Sequence, residues 1–138
     1  SGDHWPIWAA YRTYDTAVPR EMLVHDLEHG AIVMRHDCEP ACPRVVDAFL
    51  AAVDEFGVDP LCVGSSGGTV ASRIIVTPDP LLDEPIGLSA WRATYTATCI
   101  DPPSLLAFIE DNYAKAPENL CVDGKDPADP STGVPDCP

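Results

Sequence analysis

The spacing of apolar positions changes several times along this chain, and each change marks an expected element. In "PRVVDAFLAAVDEFG", Val45, Val46, Phe49, Leu50, Val53 and Phe56 recur at helical spacing on one stripe. Gly57 follows as a helix stop. "PPSLLAFIEDNYAKAP" repeats the pattern, with Leu105, Leu106, Phe108, Ile109 and Tyr113 facing inward and Pro103 and Ser104 at the start. Strand patterning appears in "AIVMRH" from about Ala31, and again in "VASRIIVTP", which "PDPLLDEP" stops. "IGLSAWRATYTATC" alternates as the antiparallel neighbour of that second strand would. "PREMLVHDLEH" fits a short helix, with Pro19 in the first turn, Glu21 near the N-terminus and Gly30 as C-cap. Residues 1–20 are aromatic and turn-rich without a period, an irregular arm packed on the body. The economical packing is an α+β fold: a small antiparallel or mixed sheet with two main helices on one face. Residues 1–118 form a single domain in this reading, and 119–138 a loop-like tail tied down by disulfide.

Composition narrows the classes. At 138 residues the chain fits one core. The 22 acidic residues against 8 basic ones leave a net charge of −14, which argues against nucleic acid and anionic membrane surfaces as partners. No apolar run is long enough to insert in a membrane. Six cysteines are many for this length and are scattered, with one close pair, so disulfides are favoured over a cysteine metal cluster. Fifteen full pairings are open; the expected set is Cys38–Cys42 around its own loop, Cys62–Cys99 in the sheet region and Cys121–Cys137 stapling the tail. Disulfides imply a secreted or periplasmic protein, with an export segment expected upstream of Ser1. A protein partner is not specified.

The chemistry concentrates in "VHDLEHGAIVMRH". His25 and His29 are four residues apart, which on a helix places them about 40° and one turn apart, on one face. Two imidazoles so placed can share one metal ion. His4 in the arm can fold back as a third, and Met22, Met34 and His36 are further candidate donors near by in sequence. Thioethers beside imidazoles suit copper, whereas imidazoles alone suit zinc equally, so copper is slightly favoured. Glu28 would orient an imidazole from behind. Two rival readings remain. The H-x-x-E-H spelling is that of a zinc hydrolase with Glu28 as base, for which Glu110 is the candidate downstream ligand. Alternatively, the histidines only pack, and the chain is a disulfide-stabilised interaction module. "SSGG" at 65–68 lacks the lysine and spacing of a phosphate loop.

"SGDHW", "HDLEHGAIV", "VTPDP", "LSAWRATYTATC" and "FIEDNYAKAPE", in that order, resemble the bacterial DUF3105 family, a domain of unknown function. The resemblance spans about residues 1–118. It carries over His4, His25, Glu28, His29 and Gly30 as matching positions, and it implies an exported or membrane-anchored protein. The "HDCEPACP" loop resembles a branch with a cysteine pair after the strand. His4 belongs to the same pattern as the histidine pair, so the resemblance favours a site built from separated segments. The expectation is therefore an exported domain binding one transition-metal ion, copper or zinc, and handling the metal rather than catalysing with it.

Overall fold

The strand β1 (Ile32–His36) is apolar on both faces, with Ile32, Val33 and Met34 all fully buried, so it needs a neighbour on each edge and cover on each side. The computed structural model, which describes residues 5–38, 41–65 and 70–129, supplies all four. β2 (Ile74–Pro78) pairs with β1 in parallel, Met34 opposite Val76. β3 (Ile86–Ala90) pairs antiparallel on the other edge, Met34 opposite Leu88. β4 (Ala93–Ala97) completes a mixed sheet of order β2-β1-β3-β4. The fold is α+β, with four helices around this sheet.

Two strand pairings differ from expectation. "IGLSAWRATYTATC" is a hairpin, not one strand, because the chain reverses at Trp91 and Arg92, the latter in the left-handed region at φ 62°. That hairpin pairs with β1 instead of β2, whose strand neighbour is β1. Parallel β1 and β2 need a long crossover, and α2 (Pro43–Phe56) with the short α3 (Pro60–Ser65) provides it. Periodicity did not mark α3. It starts where the Asp59 carboxylate accepts the Leu61 amide.

α2 and α4 (Pro102–Asn112) cover one face of the sheet, as their stripes foretold. Phe49, Leu105 and Ile109 are fully buried there against Ile32, Met34, Val76, Ile86 and Leu88. Leu50 departs from the expected stripe and is 42% exposed. The opposite face carries Val33 and Ile75. It is covered by α1 (Arg20–Glu28) and by the arm, through Ala9, Tyr11, Tyr14, Met22 and Leu23. Arm and sheet are also joined by backbone: the Tyr14 amide donates to the Val76 carbonyl and the Val76 amide to that of Arg12.

The segment after α4 is equally integrated. Lys125 pairs with Ala9 in a parallel bridge, the Trp8 indole donates to the Val122 carbonyl, and the Tyr11 amide donates to the Asp123 carboxylate. Its disulfide is not the expected one. Cys38–Cys42 forms as anticipated, but Cys121 is bonded to Cys62. Cys62 and Cys121 are both buried under the arm, whereas Cys99 is exposed just beyond β4 and has no disulfide partner among the described residues. The Cys62–Cys99 and Cys121–Cys137 pairings are therefore replaced, and Cys137 itself lies outside the described residues. No helix among the described residues is long and apolar enough to cross a membrane.

Candidate metal centre

α1 ends one residue earlier than the sequence suggested, and this places the site. His29 is its C-cap, where the helix tightens: the His29 and Gly30 amides donate to the Asp26 and Leu27 carbonyls. His25 is thus on the last helical turn and His29 just beyond it. Their imidazole centroids lie 4.7 Å apart. Trp8 of the arm packs against both, at 5.0 Å from His25 and 4.7 Å from His29. The helix turns inward because Asp26, beside His25, is fully buried and accepts the Ala9 amide, fastening the arm to α1. Burial holds the Asp26 carboxyl well above the usual carboxylate range.

A third donor comes from far along the chain. The Glu118 carboxylate lies 3.2 Å from His29 Nε2, and donor atoms of His25, His29 and Glu118 all fall within 4.8 Å of one another. Two backbone bonds seat this segment on the end of α1: the Ala114 amide donates to the Gly30 carbonyl, and the Glu118 amide to the Glu28 carbonyl. Gly30 has no side chain for two reasons. Its φ of +90° disfavours one, and a Cβ there would meet the Ala114 Cα at 2.8 Å.

Arg73 ties the arrangement together. It is 1% exposed at the entrance to β2, and its guanidinium donates to the His29 carbonyl, the Asn119 side chain and the Asp59 carboxylate. The Tyr113 hydroxyl donates to the same carboxylate and accepts the Arg73 amide. Asp59 is pulled below its ordinary pKa: burial opposes this, and the Tyr113, Leu61 and Arg73 hydrogen bonds outweigh it. One buried cation therefore joins the end of α1, the start of α3 and the segment bearing Glu118.

Burial favours the neutral form of the His29 imidazole. Burial, then the charge of His25, lowers the His29 pKa; Glu118 and Glu28 oppose this. The Trp5 carbonyl can only accept, so His25 Nδ1–H donates to it at 2.8 Å, and the arm fixes the orientation of this ring. His29 Nδ1 is buried with no hydrogen-bond partner among the described residues. The 3.2 Å contact also has the right span, since two donors at ~2.0 Å from a tetrahedral ion are about 3.3 Å apart.

The other residues singled out by sequence fall elsewhere. His4 lies outside the described residues, although its chain neighbour Trp5 touches His25. Met34 is fully buried on the α2–α4 face, across the sheet from α1. His36 shares that face, its ring 6.4 Å from Phe49. Met22 is packed in the apolar layer with Val33 and Ile75. Glu110 is exposed on α4, which covers the opposite face, so the carboxylate brought to the histidines is Glu118 instead. Glu28 is half-buried beside His29, on which its charge acts. A second cluster, Asp59, Cys62 and Cys121, offers no thiolates because its cysteines form a disulfide. Sequence reasoning missed Glu118. It closes "FIEDNYAKAPE", one of the segments shared with the histidine motif in the family pattern, and that was the signal available.

The family model described as "Protein of unknown function (DUF3105)" matches residues 1–123, nearly the whole chain. The chain belongs to the DUF3105 family. The match includes the histidine pair, Glu118 and Cys121, and its last residues, Val122 and Asp123, accept hydrogen bonds from Trp8 and Tyr11 of the arm. No curated protein and no solved structure matches the chain.

Proposed function

We propose that this DUF3105 domain binds one divalent transition-metal ion through His25, His29 and Glu118. The observation that carries this is the convergence of three donors from two distant segments within 4.8 Å, under Trp8. Local packing does not require a carboxylate 89 positions away to meet a histidine pair. Met34 is across the sheet and Met22 sits in the apolar layer, so the thioether argument for copper loses its basis. Two imidazoles and a carboxylate suit zinc or copper(II). His4, next in sequence to the carbonyl that holds His25, is the natural fourth donor. The disulfides support an exported, oxidising setting, and there the domain handles the metal as carrier or sensor.

The test is titration of untagged chain with zinc and, separately, copper(II). One ion per chain is expected. His25→Ala, His29→Ala and Glu118→Gln should each lower affinity at least tenfold while the far-UV spectrum is retained. Unchanged affinity in all three variants would remove the site. A second reading gains from Glu118, because H-x-x-E-H hydrolases require a downstream carboxylate ligand and Glu118 can supply it. Under that reading Glu28→Gln keeps the metal but abolishes zinc-dependent peptidase or esterase turnover; no turnover in the loaded wild type eliminates it.

A further inference from the structure

Arg20, Leu23, Val24 and Leu27 share one face of α1, and that face borders a cleft of about 160 Å³ above the sheet. The sheet contributes Val33 of β1 and Ser89 of β3, directly opposite each other in the antiparallel register. Arg35 follows two residues along β1, on the same side of the strand. The cleft is therefore aliphatic, with two guanidinium groups and one hydroxyl set into it. None of the metal donors lines it.

Donors outnumber acceptors there among the described residues. Asp79 Oδ2 accepts Arg20 Nη2 at 2.8 Å and Arg35 Nη1 at 3.0 Å, while its Oδ1 accepts the Leu81 amide. One carboxylate thus serves two cations, and one positive charge is left over in a chain whose net charge is −14. The other edge of the Arg35 guanidinium carries the parallel N–H bonds of Nη2 and Nε, a fork suited to bidentate capture of a carboxylate. Nη2 donates to Ser89 Oγ at 2.8 Å. Nε is buried and has no hydrogen-bond partner among the described residues. Burying such a donor without an acceptor is costly. Ser89 accepts from Nη2 and keeps its own hydroxyl proton to donate.

We propose that this cleft binds a small aliphatic carboxylate. One carboxylate oxygen accepts the Arg35 Nε–H, and the other accepts from the Ser89 hydroxyl and the Arg20 guanidinium. The hydrocarbon tail lies against Leu23, Val24, Leu27 and Val33. At roughly 30 Å³ for each water-sized group, the volume admits about five or six heavy atoms, the size of a short branched acid. The ligand's charge balances the surplus cation, and its oxygen satisfies the buried Nε.

Isobutyrate serves as the probe, and isobutyramide, of the same shape without the charge, as its control. The metal-free, isotope-labelled full chain is titrated with each and followed by amide NMR. Isobutyrate should shift the Val33, Arg35 and Ser89 amides saturably, with a Kd of about 1–10 mM, and isobutyramide should bind at least tenfold more weakly. Arg35→Lys keeps a charge beside Asp79 but loses the fork, and should weaken isobutyrate at least tenfold. Ser89→Ala should weaken it at least threefold, and it decides the matter if Arg35→Lys does not fold. Three results would overturn the proposal: no saturable shift at roughly 100 mM isobutyrate, isobutyramide binding as well as isobutyrate, or full affinity in the folded variants.

Discussion

Phe49 and Arg73 are both almost completely buried, yet they hold the molecule by opposite means. Phe49 sits mid-helix on the face covered by α2 and α4, among mostly apolar side chains, with the His36 ring 6.4 Å away. Arg73 sits at the entrance to β2 and satisfies groups from three other segments at once. The apolar face tolerates exchange of one hydrocarbon for another of similar volume. The Arg73 end does not, since removing one partner strands a buried charge. The candidate metal donors lie at this second, polar end. Stability and site geometry are therefore coupled there and uncoupled on the other face.

The sharpest way to break this contrast is to remove each anchor. Arg73→Met leaves Asp59 buried without its cation and is expected to cost about 3–5 kcal/mol. It should also weaken metal binding, because the Glu118 segment loses its tether. Phe49→Ala is expected to cost a similar ~3–5 kcal/mol through the cavity it leaves. Metal affinity at a temperature where it remains folded should be unchanged. Urea unfolding with and without metal separates the two; equal effects on affinity would dissolve the distinction. Gly30→Ala comes next, at about 1–3 kcal/mol for the strained φ and the clash with Ala114. Its melting temperature and metal affinity should fall together.

The contrast in pH response is smaller. Asp59 and Asp79 are held below the usual carboxylate range, Asp79 by the Leu81 amide and by Arg35 and Arg20 against the opposing effect of burial. Their contribution is fully present above the unfolded value of about 3.9 and is lost as pH falls through their lowered folded values. Asp26 runs the other way. Its raised folded pKa makes the contribution of its neutral form largest in acid, and that contribution is lost as pH rises through the folded value. Asp26→Asn keeps an acceptor for the Ala9 amide, so it should raise stability at pH 8 and leave it nearly unchanged at pH 4. Thermal unfolding across pH checks both signs. The smallest effect is expected from Met34→Leu, under about 1.5 kcal/mol and without change in metal affinity.

The same division governs what the sequence could reveal. α2 and α4 were readable because a 3.6-residue stripe is local, and the buried strand β1 because its composition is local. The pairing of His25 with His29 was readable for the same reason. Glu118 was not: it reaches His29 only after the chain leaves α4 at Tyr113, passes Ala114 over Gly30 and is held by Arg73. Cys62–Cys121 was misread because its halves, 59 residues apart, meet only once the arm and the post-α4 segment have folded over the sheet. Polar anchors such as Arg73 and Asp59 follow no period, so hydrophobic patterning cannot find them.

The most direct test of the central claim is anomalous diffraction from crystals of the chain soaked in zinc. One strong peak per chain is expected, at about 2.0–2.2 Å from one nitrogen each of His25 and His29 and from a Glu118 oxygen. A peak held only by surface carboxylates such as Glu110, or none near His25 and His29 at saturating zinc, would contradict it.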